Sequence, residues 1–291
     1  MSKINQIGHF INGQAVAGTS GNTGVVNNPA TGQQTGSVAL ASVGEVDIAV
    51  AAAKEAFETW GKSSIANRTK LMFKLRNLVD ENADALAAAV SSEHGKVHSD
   101  ALGEVARGID NIEYACNIGE LMRGGHSNQV ATGIDVTTVR RPLGVVAGIT
   151  PFNFPAMVPL WMIPNAIATG NTFILKPSEK DPSVALLFAE LIAEAGFPPG
   201  VFNVVNGDKV AVDAILEHRG IAAVSFVGST PIARYIHQTA TNNGKRVQAL
   251  GGAKNHMLVL PDADIGLAAD AAVSAAFGSA GERCMAISVA V

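Results

Sequence analysis

The 291 residues are 47% hydrophobic and 16% charged, a composition able to fill a sizeable core and unlike that of a disordered chain. A formal charge of -4 leaves no basic excess for nucleic acid or anionic lipid, so neither is expected as a partner. No apolar run reaches the roughly 18 residues of a membrane span, and the opening MSKINQIGHFINGQ lacks the charged-then-apolar pattern of a signal peptide. The expectation is a cytoplasmic protein of two domains or one large one.

In chain order, the opening stretch sets turn signals (Asn12-Gly13, Asn28-Pro29, Thr31-Gly32) between short apolar runs, which predicts a small strand-rich entry. Val46, Ala49, Val50, Ala53, Ala56, Phe57 and Trp60 then recur at helical spacing. Helical patterning continues with breaks to Met122, and Gly124-Gly125 end it. A strand pair is expected across 130–141. Beyond it, short β-rich runs alternate with helical ones: GVVAGIT with VPLWMIPNAIATG, TFILK with SVALLFAELIAEAG, VFNVV with a helix near 210–217, and AAVSFVG with PIARYIHQTA. This order is the signature of a doubly wound α/β sheet with helices on both faces. A last strand, HMLVL, should lead into the Ala-rich helix DIGLAADAAVSAAFGSAG.

Several stretches bring polar side chains to the carboxyl ends of these strands, where α/β sheets hold ligands. In TFILKPSEK, Lys176 and Glu179 stand where a carboxylate can accept both hydroxyls of a ribose, with Lys180 in reach. A solvated charged turn is the alternative. The run SFVG leads into Ser229-Thr230-Pro231 at a helix start, whose free N–H groups suit a pyrophosphate. An ordinary capped helix fits equally, and no G-x-G-x-x-G is present. Asn153, between two phenylalanines in TPFNFP, can donate to an oxyanion or serve as a turn residue. Gly251-Gly252 permits close backbone approach to a ligand, as it would in a plain turn.

Two cysteines cannot form a disulfide framework. Cys116, at helical apolar spacing in NIEYACNIGELM, reads as a core residue, whereas for Cys284 in GERC a catalytic and a structural role both remain open. No G-x-S-x-G, P-loop or H-E-x-x-H occurs. His94 and His98 are separated by a helix-weakening Gly95, so no metal site is expected.

Taken together and in this order, TPFNFP, ILKPSE, FVGST, LGG and GERC resemble the aldehyde dehydrogenase superfamily. Within it, QALGGAKNHMLVLPDADI and AAFGSAGERCMA are most similar to the CoA-acylating methylmalonate-semialdehyde dehydrogenase branch. The resemblance implies that Cys284 attacks an aldehyde as the thiolate and becomes an acyl thioester, with Asn153 and its own backbone N–H stabilising the oxyanion. It implies NAD as cofactor: Thr150 and Phe152 contribute cofactor-contacting backbone, and Lys176, Glu179 and Lys180 lie on the adenosine-ribose side. Gly228 and Ser229 lie on the pyrophosphate side and Gly251 on the nicotinamide side. Glu179 would repel a 2′-phosphate, which favours NAD over NADP.

Hydrolytic members carry a glutamate before Leu-Gly-Gly as the base that activates water. Here Ala249 stands there, which favours transfer to coenzyme A as co-substrate. Arg107 and Arg283 can fork a carboxylate, as methylmalonate or malonate semialdehyde would require, with loss of CO2 after oxidation. Arg107 reads equally as a surface helix charge, and Arg283 as a group that lowers the pKa of Cys284. A homo-oligomer, dimer or tetramer, is implied for the full-length family fold. Two alternatives are a hydrolytic aldehyde dehydrogenase and an inactive NAD-binding fragment. Residues 1–252 are expected to form the NAD-binding domain with its N-terminal helical part, and 253–291 to open a second α/β catalytic domain. Family members run further past the nucleophile, so exposed apolar surface, poor solubility and poor activity are expected of these residues alone.

Overall fold

A computed structural model describes residues 4–291. Short strands β1 (Asn5–Ile7), β2 (His9–Ile11), β3 (Gln14–Val16), β4 (Thr23–Asn28) and β5 (Gln33–Ala39) form the entry. Helices α1 (Val43–Trp60), α2 (Ile65–Glu81), α3 (Ala83–His94), α4 (His98–Cys116) and α5 (Ile118–Leu121) follow, then the hairpin β6 (Gly125–Ala131) and β7 (Ile134–Thr138). The alternating part runs β8 (Val145–Ile149), α6 (Met157–Ala168), β9 (Thr172–Lys176), α7 (Ser183–Glu194), β10 (Phe202–Val204), α8 (Lys209–Glu217), β11 (Ile221–Val227), α9 (Thr230–Asn242) and β12 (Arg246–Leu250). It is followed by β13 (His256–Met257), α10 (Ile265–Phe277), a short 3-10 turn at Gly278–Gly281, and β14 (Val289–Ala290). No helix among the described residues is long and apolar enough to cross a membrane.

The main sheet has the order β12-β11-β8-β9-β10-β2-β3. The first five strands are mutually parallel, and β2 and β3 add antiparallel at one edge. Read by chain position, successive strands run from β8 outward to β10, then return to the other side of β8 as β11 and β12. The expected doubly wound arrangement is present, and its order reverses between β8 and β11. The reason is legible in β8 and β9, where every residue is buried, as in strands covered on both faces. Their side chains alternate between two cores. Val146, Phe173 and Leu175 pack with α2, α3, α4, α6 and α7, whereas Val145, Ala147, Ile149 and Ile174 pack with α1, α8 and α9.

The expected strand pair begins earlier than predicted, and every residue of the β6–β7 hairpin is exposed. The predicted strand HMLVL is only partly formed. β13 covers two residues because its parallel partner β14 offers only two, and Leu258, Val259 and Leu260 are exposed. Helix α10 buries none of its residues, and Phe277 is 74% exposed. Cys116 is buried in α4, as expected of a core residue.

Helix α1 starts on a capping box. Ser42 Oγ accepts from the Glu45 N–H, and Glu45 Oε2 accepts from the Ser42 N–H at 2.9 Å. Glu45 Oε1 also accepts from Thr19 N–H at 2.7 Å and lies 3.4 Å from the buried His9. Burial alone would raise this carboxyl, but the amides of Ser42 and Thr19, the Ser42 hydroxyl and His9 together lower it to about 2 from an ordinary 4.5. Its stabilising contribution is complete above pH 4.5 and is lost as pH falls toward 2. At most about 3 kcal/mol is involved. Urea unfolding between pH 5 and pH 3 is expected to show Glu45→Gln as less stable at the upper pH and less pH-sensitive than the wild type. An unchanged slope would refute the assignment.

Candidate active site

The carboxyl ends of β8, β9, β11 and β12 share one edge, with the order reversal in the middle of it. β8 delivers Thr150, whose N–H bonds to the Lys176 carbonyl at 3.2 Å and so ties the ends of β8 and β9 together. Its buried hydroxyl has no hydrogen-bond partner. β9 delivers Lys176, buried along its stem, whose Nζ donates to Glu179 Oε2 at 3.2 Å while that carboxylate stays 44% exposed. Lys180 Nζ lies 4.3 Å from the centre of the Phe152 ring, and the His94 ring stacks near the same phenylalanine at 6.4 Å. Burial, assisted by Lys96, lowers His94 to about 4, so it is neutral at physiological pH.

On the other side of the reversal, β11 ends at Gly228 and Ser229. A Cβ at Gly228 would sit 2.4 Å from the Phe226 ring, so backbone alone fits there. Ser229 is the N-cap of α9 but makes no side-chain cap bond, which leaves its hydroxyl and the first-turn amides facing the edge. At the end of β12, a Cβ on Gly251 would meet Thr230 Oγ1 at 2.9 Å, and the Gly252 N–H donates to that hydroxyl at 3.0 Å. The glycine pair therefore lies directly against the start of α9. Thr150, Phe152, Lys176, Glu179, Lys180, Gly228, Ser229 and Gly251 thus all lie along one edge.

Cys284 follows an unusual turn. Ser279, Ala280 and Gly281 have φ of 53°, 56° and 76°, three successive left-handed residues of which two carry side chains. Ser279 and Ala280, which carry side chains, cost about 1–3 kcal/mol each in this conformation and persist where their surroundings hold them. Asp100 on α4 does so: Oδ2 accepts from the Ser279 N–H at 2.7 Å and Oδ1 from Arg283 Nη2 at 3.1 Å. Asn153 Nδ2 donates to the Glu282 carbonyl at 2.6 Å, and Asn255 Nδ2 donates to that of Cys284 at 3.1 Å. Asn153 keeps a second amide hydrogen. The half-buried Cys284 opens on a cleft of about 850 Å³ that Arg107, Arg283, Phe154, Met157 and Trp161 also line. Arg283 is engaged by Asp100, whereas Arg107 is 75% exposed and only loosely paired to Asp110 at 3.4 Å.

Sequence reasoning missed the groups beneath this arrangement. Lys96 and Glu104 form an ion pair at 2.5 Å with both side chains fully buried. Burial also raises Glu93 and holds Asp181 well above the usual carboxylate range. One signal was present, because Glu104 lies on the apolar stripe of α4 with Ala101, Val105 and Ile112, where an unpaired carboxylate would not be tolerated.

A sequence profile of the aldehyde dehydrogenase family matches residues 16–291. Malonate-semialdehyde dehydrogenase 3 of Geobacillus kaustophilus is 55% identical over all of this chain, which spans 60% of that protein. The malonate-semialdehyde dehydrogenase of Pseudomonas aeruginosa is 54% identical over 97% of this chain and 57% of its own. The crystal structure of a putative methylmalonate-semialdehyde dehydrogenase from Sinorhizobium meliloti, complexed with NAD, superposes with a TM-score of 0.97 at 53% identity. It covers 100% of this chain and 59% of that one. That of methylmalonate-semialdehyde dehydrogenase from Oceanimonas doudoroffii reaches 0.96 at 55% identity, over 99% and 59% of the two chains. The chain belongs to the aldehyde dehydrogenase family.

Proposed function

We propose that this chain carries the NAD site and the nucleophile of a CoA-acylating dehydrogenase acting on methylmalonate and malonate semialdehydes. The observation that carries the reading is the strained turn before Cys284, tied to Asn153 through the Glu282 carbonyl, which sets Cys284 in a cleft with two arginines. Residues 1–252 act as the NAD-binding domain and 253–291 as the start of the catalytic domain, whose exposed α10 and Leu258–Leu260 segment fit a face covered by further structure. A homo-oligomer is part of the same reading.

The residues present fit NAD. The partnerless Thr150 hydroxyl and the Ser229 N-cap, which makes no side-chain cap bond, leave donors along the edge. Glu179 would accept the ribose hydroxyls, Lys176 would hold Glu179 in place, and the start of α9 would receive the pyrophosphate. When bound, NAD accepts the two electrons and the hydrogen that leave the aldehyde carbon. Cys284 adds as thiolate to that carbon, and Asn153 with the Cys284 N–H steadies the resulting oxyanion. Oxidation of the thiohemiacetal leaves an acyl thioester on Cys284. Loss of CO2 and transfer to the sulfur of coenzyme A then release propanoyl-CoA or acetyl-CoA and restore the cysteine. With Ala249 where a carboxylate base would activate water, thiol attack is favoured over hydrolysis.

NADH formation from methylmalonate semialdehyde, followed with and without CoA, is expected to require CoA and to yield propanoyl-CoA and CO2. Equal NADH without CoA would point to the hydrolytic alternative. No NADH from folded, NAD-binding protein would make this chain a cofactor-binding fragment. Arg107→Ala is expected to raise KM for the semialdehyde about tenfold, the effect of losing roughly 1.4 kcal/mol of carboxylate binding. It should leave KM for propanal, which lacks the carboxylate, unchanged. Equal effects on both aldehydes would remove Arg107 from substrate recognition.

A further inference from the structure

Lys96 and Glu104 are given no part in binding cofactor or substrate, yet Glu104 lies against the Cys284 cleft and the two grip the loop that carries Asn153 from below. Lys96 Nζ donates to Glu104 Oε2 at 2.5 Å and to the Asn153 carbonyl at 2.8 Å, and it lies 4.0 Å from the centre of the Phe154 ring. Glu104 Oε1 accepts from the Ala156 N–H at 2.7 Å and the Met157 N–H at 3.0 Å, where α6 begins. One buried ion pair thus fixes the loop at Asn153, Phe154, Ala156 and Met157. The Asn153 side chain reaches the opposite way, to the Glu282 carbonyl two residues before Cys284. Its two ends therefore link the buried pair to the cysteine turn.

Buried ion pairs add little net stability compared with apolar residues of the same volume. A fixed direction is what this pair supplies in addition, because each partner has its remaining bonding capacity aimed at the same loop. We propose that Lys96 and Glu104 are positioning residues that, acting through Asn153, set the conformation of the Glu282–Cys284 turn and hence the exposure of the Cys284 thiol. The inference rests on the reading of Cys284 and Asn153 as the reactive pair, and it places the control of that pair in the helical part of the chain.

The test is the rate of iodoacetamide alkylation, resolved by mass spectrometry into the Cys284 and Cys116 peptides, which needs no turnover. Wild type is compared with Lys96→Met/Glu104→Gln, with Asn153→Ala, and with all three changes combined. The double variant leaves no uncompensated charge and keeps an acceptor for the Ala156 and Met157 amides. Cys284 is expected to label several-fold faster in the double variant and in Asn153→Ala. The triple variant should match Asn153→Ala, because the two changes break one chain of contacts. Cys116 should be unaffected. A pair with a merely structural role would speed both cysteines and give effects that multiply. That pattern, or a Cys284 rate unchanged from wild type in the double variant, overturns the proposal. Should the double variant not fold, Glu104→Gln alone carries the same expectation and the same refutation: its one amide oxygen can still accept from the Ala156 and Met157 amides, but its NH2 cannot accept from Lys96, so the pair is broken. Wild-type Cys284 labelling no faster than Cys116 would instead count against Cys284 as nucleophile, while the dependence on Lys96 would still be read from the relative rates.

Discussion

Three adjacent parallel strands buried on both faces, β8, β9 and β10, need helices to cover each side, and that requirement organises the rest of the molecule. The chain meets it by winding outward from β8 to β10 and then returning past β8 to β11 and β12. At the return, the helices after β8 and β11 leave the sheet toward opposite faces, and the carboxyl ends of the strands are left open between them. The polar groups described above lie along this edge because strand ends, unlike strand interiors, present free backbone and side chains to a ligand.

The cysteine is added to this edge by long-range contacts. Its turn is strained locally, so its geometry depends on partners elsewhere: Asp100 from α4, Asn153 from the loop after β8, and Asn255 from the segment after β12. Two of those three belong to the helices and loop that the Lys96–Glu104 pair holds together. Packing in the N-terminal helical part therefore reaches the Cys284 turn through hydrogen bonds rather than through the sheet.

Much of this was legible in the sequence, for identifiable reasons. The β-α alternation was readable because doubly buried strands are continuous apolar runs such as TFILK, and the helices between them carry apolar residues at helical spacing. Lys176 and Glu179 were readable as a pair because they are three residues apart just past a strand end, and they do meet. The Ser279–Gly281 turn, the Asp100 tie and the buried ion pair were not readable. Lys96 lies 57 residues from the Asn153 carbonyl it holds, and Asp100 lies 179 from Ser279, separations at which local pattern says nothing about contact. HMLVL failed for a related reason: its apolar character is real, but strand formation depends on a pairing partner, and β14 supplies two residues.

The central claim is that NAD lies along the carboxyl edge where the strand order reverses. Hydrogen exchange of the protein with and without saturating NAD tests it most directly. The account predicts slowed exchange confined to the segments around Thr150–Phe154, Lys176–Lys180, Gly228–Ser229 and Gly251. NAD binding that leaves those segments unprotected, or that protects the amino ends of the same strands instead, would contradict it.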